Sequence, residues 1–139
     1  MMRNVMRLAL AGVLLASMGF VGIGSAQAAG GCTKGYACLW ADRSYTGTTW
    51  GNSNYSGTFN AASTGMNDVA SSAWANGGTC RYTTWYINGG QTGNWFYLQS
   101  QSIFGAGYSD PNLSNGAGYG QYNTQNFEDK LSSYKYSGC

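Results

Sequence analysis

The sequence predicts an all-β domain built as a sandwich of two sheets, and three observations carry that expectation. Short aromatic or β-branched runs are punctuated every few residues by Gly, Asn, Ser and Thr, the rhythm of strands joined by turns. No stretch beyond Ala29 keeps the period of an amphipathic helix. An ordered pair of short patterns also occurs twice along the chain. Two such units, each with little to bury alone, would share one core.

The chain opens with Arg3 and Arg7, an apolar run from Leu8 to Gly24, and the small-residue exit Ala26-Gln27-Ala28. That order predicts a secretory signal over residues 1–28 and leaves 29–139 as one exported domain. Ser17 and four glycines weaken the apolar run as a membrane span. Strands are expected at Tyr36–Trp40, Thr46–Asn52, Gly57–Ala61, Ser71–Ala75, Thr79–Thr84, Trp95–Gln99 and Leu131–Tyr136. From Ser102 to Asn126 the chain is rich in Gly, Asn and Tyr and contains Pro111, so it reads as a long surface loop. Loops of that length in compact domains often carry function.

The repeat is the most informative feature. Trp40 is followed seven positions later by Gly47, and Tyr82 by Gly89; in both cases a cysteine, Cys38 or Cys80, lies two places before the aromatic. Further on, Asn67-Asp68-Val69-Ala70-Ser71-Ser72 is echoed by Glu128-Asp129-Lys130-Leu131-Ser132-Ser133. An aromatic starting a strand with a glycine seven places on suits a folded hairpin whose ring packs over bare backbone. The Asp-x-x-Ser-Ser element can satisfy loop backbone by local hydrogen bonds.

Composition narrows the chemistry. The chain has no His, which removes Ser-His-Asp and Cys-His nucleophile pairs and imidazole zinc sites. Four cysteines, all in the exported part, are expected to pair in an oxidising compartment. Glu128 and Asp129 are sequence neighbours and, if extended, would point to opposite faces, a poor start for a glycosidase pair. The reading is therefore a non-enzyme. After signal removal Lys34, Arg43, Arg81, Lys130 and Lys135 balance Asp42, Asp68, Asp110, Glu128 and Asp129. A neutral domain without a basic stripe gives no electrostatic reason to bind nucleic acid or to stay on a membrane. A monomer is expected.

These residues resemble a βγ-crystallin-type double Greek key. The resemblance rests on Trp40…Gly47 with Asn67-Asp68-x-x-Ser71-Ser72, and on Tyr82…Gly89 with Glu128-Asp129-x-x-Ser132-Ser133. It implies a βγ-crystallin-like sandwich with one Greek key at about 32–77 and a second at about 78–139. The opening Cys32-Thr-Lys-Gly35-Tyr36-Ala-Cys38-Leu39-Trp40 looks more specifically like the secreted actinomycete peptidase-inhibitor family typified by the Streptomyces metalloproteinase inhibitor. In this picture Cys32–Cys38 would close a small loop and Cys80–Cys139 would tie the second unit's first strand to the chain end. Sequence alone permits three connectivities, and the symmetry-related Cys38–Cys80 pairing competes.

The resemblance implies two chemistries. In crystallin-like domains the Asn/Asp-Asn/Asp-x-x-Ser/Thr-Ser element supplies hard oxygen ligands to Ca²⁺. Asn67, Asp68 and Ser71 match it, as do Asp129 and Ser132, while Glu128 departs from it with a longer stem. No cofactor is required by this reading; Ca²⁺ is the one candidate. The second chemistry is inhibition of a secreted peptidase, expected to be a metalloproteinase, by a rigid exposed loop. The family's short disulfide in the second half has no counterpart here, so the contact surface is placed on the extra segment Ile103-Phe104-Gly105 through Leu113. The alternatives are an antimicrobial, killer-toxin-like secreted protein and a calcium-stabilised structural module.

Overall fold

Two antiparallel four-stranded sheets face each other in a computed structural model that describes residues 31–59 and 64–139. The predicted signal segment, and the last two residues of the strand expected at Gly57–Ala61, lie outside the described residues. The strands are β1 (Tyr36–Asp42), β2 (Thr46–Asn52), β3 (Ser56–Thr58), β4 (Ser72–Asn76), β5 (Tyr82–Asn88), β6 (Thr92–Gln99), β7 (Ser109–Asp110) and β8 (Ser133–Ser137). One sheet runs β2-β1-β4-β7 and the other β6-β5-β8-β3. Each half thus keeps three of its strands together and lends its third, β3 or β7, to the edge of the opposite sheet. This is the double Greek-key topology expected from the repeat.

The halves correspond, but in a register different from the expected one. Trp40 matches Tyr86, not Tyr82. β1 and β2 slip register between Trp40 and Asp42 before Asp42 pairs Thr46; β5 and β6 slip between Tyr86 and Asn88 before Asn88 pairs Thr92. Thr46 Oγ1 donates to the Arg43 carbonyl at 2.8 Å and Thr92 Oγ1 to the Gly89 carbonyl at 3.1 Å. The glycines seven places on are therefore Gly47 and Gly93, at φ +75° and +80°. A Cβ at Gly47 would strike the Asp42 carboxylate, and one at Gly93 would lie 2.6 Å from Asn88 Nδ2. Tyr82, the partner proposed for Trp40, corresponds instead to Tyr36 at the start of β1. The fifth strand accordingly begins three residues later than expected and runs to Asn88.

Alternation fills the space between the sheets. Leu39, Trp85, Phe96, Leu98 and Tyr134 point inward and are fully buried, joined by Phe59, Met66, Phe127 and Leu131 from the connections. Trp50 meets Phe59 and Tyr134 edge-on at 4.8 and 5.3 Å, and Phe96 meets Phe127 at 4.8 Å, the tilted contacts that ring quadrupoles favour. A second, smaller cluster of Trp40, Tyr45, Trp74 and the Cys32–Cys38 bridge covers the outer face of the first sheet. The bridges formed are Cys32–Cys38 and Cys80–Cys139, leaving no free thiol among the described residues.

The stretch read as a long surface loop is largely ordered structure. It forms a single helical turn, α1 (Gln101–Phe104), then β7, which pairs with β4, then turns that return Leu113 and Ala117 to the core and lead to the buried Phe127. Backbone bonds fix this return: Leu113 N–H to the Ser71 carbonyl at 3.0 Å and Phe127 N–H to the Leu113 carbonyl at 2.8 Å. Leu113 and Ala117, missed as core because they stand singly among Asn, Ser and Gly, join the cluster between the sheets.

Among the described residues two buried side-chain polar atoms have no hydrogen-bond partner, Thr83 Oγ1 and Trp85 Nε1. A buried hydroxyl that makes no hydrogen bond bears its desolvation cost uncompensated. Thr83→Val keeps shape and removes that cost, so it should raise unfolding stability by about 1 kcal/mol in a urea melt. A variant no more stable than the parent would mean that the hydroxyl is satisfied in solution.

Candidate functional site

Two places concentrate the residues singled out from sequence. The first is where the two Asp-x-x-Ser-Ser elements meet across the pseudo-twofold. Asp68 and Asp129 both sit at φ 55°. From there each reaches into the other half: Asp68 N–H donates to the Leu131 carbonyl at 3.1 Å, and Asp129 N–H to the Ala70 carbonyl at 3.0 Å. The last serine of each element fastens its own hairpin turn. Ser72 Oγ donates to the Asp42 carbonyl at 2.8 Å and accepts from Tyr45 N–H at 3.1 Å. Ser133 Oγ does the same for the Asn88 carbonyl and Gln91 N–H. Short polar side chains are needed here because four backbone groups of the turns would otherwise lack partners.

The two motifs diverge in charge. Glu128 receives Arg43 through two parallel bonds, Nε to Oε1 and Nη2 to Oε2, each 2.8 Å. These hydrogen bonds hold the Glu128 carboxyl below the usual carboxylate range, and the Ser71 hydroxyl assists. Burial, reinforced by the neighbouring Glu128 charge, pushes Asp129 upward. In the other half Asn67 Nδ2 donates to Asp68 Oδ2 at 2.8 Å and Ser132 Oγ donates to Asp68 Oδ1 at 3.2 Å. Sequence reasoning placed Asn67, Asp68, Ser71, Glu128, Asp129 and Ser132 together, but it missed Arg43, which no motif marks.

A calcium ion does not fit the Glu128 half as it stands. Both carboxylate oxygens already face a fixed cation, and a divalent ion there would sit beside the guanidinium. Among the described residues no group of three or more Asp, Glu or Cys side chains converges to hold a metal ion.

The second place is α1 and the sheet beside it. Ile103 and Phe104 N–H both donate to the carbonyl of the buried Ser100, at 3.1 and 3.0 Å. Ser102 N–H donates to Asn76 Oδ1 at 3.1 Å and Ser102 Oγ to the Gly78 carbonyl at 3.0 Å. Gln101 Oε1 accepts from Trp74 Nε1 at 3.0 Å, and Gly105 ends the turn at φ 67°. On this tethered turn Ile103 is 42% exposed. Phe104 stacks on Tyr82 at 5.7 Å, with the Arg81 guanidinium 5.1 Å from the Phe104 ring centre. Tyr82 meets Tyr97 at 5.3 Å and Tyr97 stacks on Tyr119 at 5.5 Å, so an aromatic row crosses the outer face of β5 and β6. Of the residues expected to form a contact surface, Ile103 is exposed and Phe104 half-buried on this turn. Leu113 does not: it is 0% exposed and belongs to the core, so it offers nothing to a partner.

Comparison with known proteins settles the class. The sequence profile of peptidase inhibitor family I36 matches residues 25–98. The chain belongs to that family. I36 membership makes this chain a peptidase inhibitor rather than an enzyme, with a peptidase as its partner. The match ends at Leu98, so α1 and all that follows lie beyond the part this chain shares with the I36 profile. No curated protein matches the chain.

Solved βγ-crystallin domains resemble the I36 chain in fold. One from Ciona intestinalis is 20% identical, with a TM-score of 0.52 over 73% of this chain and 99% of its own. A double mutant of a domain from Clostridium beijerinckii is 21% identical, with a TM-score of 0.53 over 77% of this chain and 100% of its own. A structure described in terms of the evolution of the eye-lens βγ-crystallin fold is 22% identical, with a TM-score of 0.55 over 78% and 90%. At these identities the likeness speaks to architecture alone.

Proposed function

We propose that this chain is exported and inhibits a secreted metalloproteinase by docking α1, with Ile103 leading and the Phe104–Tyr82 stack beside it. The observation that carries this reading is an exposed branched apolar side chain on a turn tied down at every position. Ser100, Gln101, Ser102 and Gly105 each make a hydrogen bond that fixes the turn before any partner arrives. Such a surface loses little freedom on binding, which is where a rigid inhibitor gains affinity. Arg81 beside Phe104 adds a cation at the rim of the patch. Two disulfides support export to an oxidising compartment. The metalloproteinase class follows from the resemblance of the Cys32–Trp40 opening.

The test is Ile103→Asp, assayed against a thermolysin-type metalloproteinase. A carboxylate at the centre of an apolar contact should weaken inhibition by at least about 30-fold, roughly 2 kcal/mol. Ile103 is exposed and is not one of the core residues, so the melting temperature should stay close to that of the parent. Inhibition unchanged by Ile103→Asp, with the fold intact, removes α1 as the contact surface.

A further inference from the structure

We infer that the Arg43 guanidinium is the resident cation of the Glu128 half of the motif junction. It closes that half to divalent ions and joins the two Greek keys without metal. The inference stands apart from the inhibitory reading of α1.

Three observations support it. The pairing is bidentate: both Glu128 oxygens are taken by the planar fork of one arginine at 2.8 Å, the geometry guanidinium and carboxylate share. The arginine's backbone is held in place. It opens a 3-10 turn in which Ser44 and Tyr45 take φ 57° and 60°. Tyr45 N–H is fastened to Ser72, and the Arg43 carbonyl accepts from Thr46. The third observation is the pseudo-symmetric half, where Gly89 stands at the position of Arg43 and Asn67 at that of Glu128. Cation and carboxylate are absent there together, which ties the departure from Asn or Asp at position 128 to the arginine opposite. A longer acidic stem is what reaches a guanidinium.

The pair is solvent-accessible, with side-chain exposures of 53% and 21%, so its worth lies less in stability than in exclusion. Removing the guanidinium leaves the Glu128 carboxylate without its cation, next in sequence to Asp129, whose N–H bond to the Ala70 carbonyl brings this segment beside the buried Ser71. These are hard oxygen donors of the kind Ca²⁺ takes. Arg43 alone stands between that set and a metal ion.

The experiment compares melting temperatures of the full exported chain in calcium and in chelator for four proteins: parent, Arg43→Gln, Glu128→Gln, and the double variant. The readout is the part of the calcium shift that depends on Glu128, taken as each chain's shift minus that of its Glu128→Gln counterpart. It should be zero for the parent and at least about 4 °C for Arg43→Gln. A Glu128-dependent shift already present in the parent would overturn the inference. Its absence from Arg43→Gln would overturn it equally. Both positions are solvent-accessible and each substitution puts a polar amide in place of the charged group, so folding is not at stake.

Discussion

Leu113→Ala should lower unfolding stability by about 2–5 kcal/mol, as truncation of a fully buried leucine does when its surroundings cannot collapse. The surroundings here are constrained. Leu113 N–H is bonded to Ser71 in the first half, and the Leu113 carbonyl receives Phe127 N–H from the segment that leads into β8. The side chain therefore plugs the sandwich at the point where backbone from both halves converges. Chemical denaturation of the parent and the variant measures the loss. A value under about 0.5 kcal/mol would put Leu113 at the surface and restore the reading of residues 102–126 as a free loop. The same contacts forecast the outcome of trimming that segment to a short turn: the core would lose Leu113 and Ala117, Phe127 would lose its backbone partner, and folding would fail with them.

Replacing Cys80 and Cys139 by serine should cost about 4 kcal/mol, against about 2 for Cys32 and Cys38, on the chain-entropy account. The difference follows from loop size, since the two bridges span sequence separations of 59 and 6. The long one encloses β5 to β8 and anchors the chain end beside β5. Its removal frees most of the second half in the unfolded ensemble. The short one ties a local bend under Trp40 and Trp74. Paired denaturation curves for the two double-serine chains test the ordering. Equal losses, or a larger loss from the short bridge, would show that local packing around Trp40 outweighs loop closure.

Much of this architecture could be read from the residues alone. The strand Thr46–Asn52 appears with the expected bounds, because Gly47, Gly51 and the β-branched run between them mark both pattern and ends. The Asp-x-x-Ser-Ser elements were legible because their role needs short polar side chains at fixed spacing. The register of the second hairpin was not. In a chain this rich in Tyr and Gly, both Tyr82…Gly89 and Tyr86…Gly93 satisfy an aromatic-x6-Gly pattern. The matching register slips, the positive φ of Gly47 and Gly93 and the hydrogen bonds of Thr46 and Thr92 decide between them. Leu113 was misplaced because an isolated apolar residue among Pro, Asn and Ser carries no period, and its burial comes from tertiary return of the chain. Arg43 escaped notice because a lone arginine has no signature until its partner, 85 positions away, is brought to it.

The traded edge strands have a consequence for a protein that works among peptidases. Each half is stitched into the other's sheet through β3 and β7, and Asp68 and Asp129 clasp reciprocally nearby. A protease that nicks one exposed turn would release no fragment, since the piece on either side remains hydrogen-bonded across the junction. Survival of a single cut is thus a property of the topology, whichever surface meets the target.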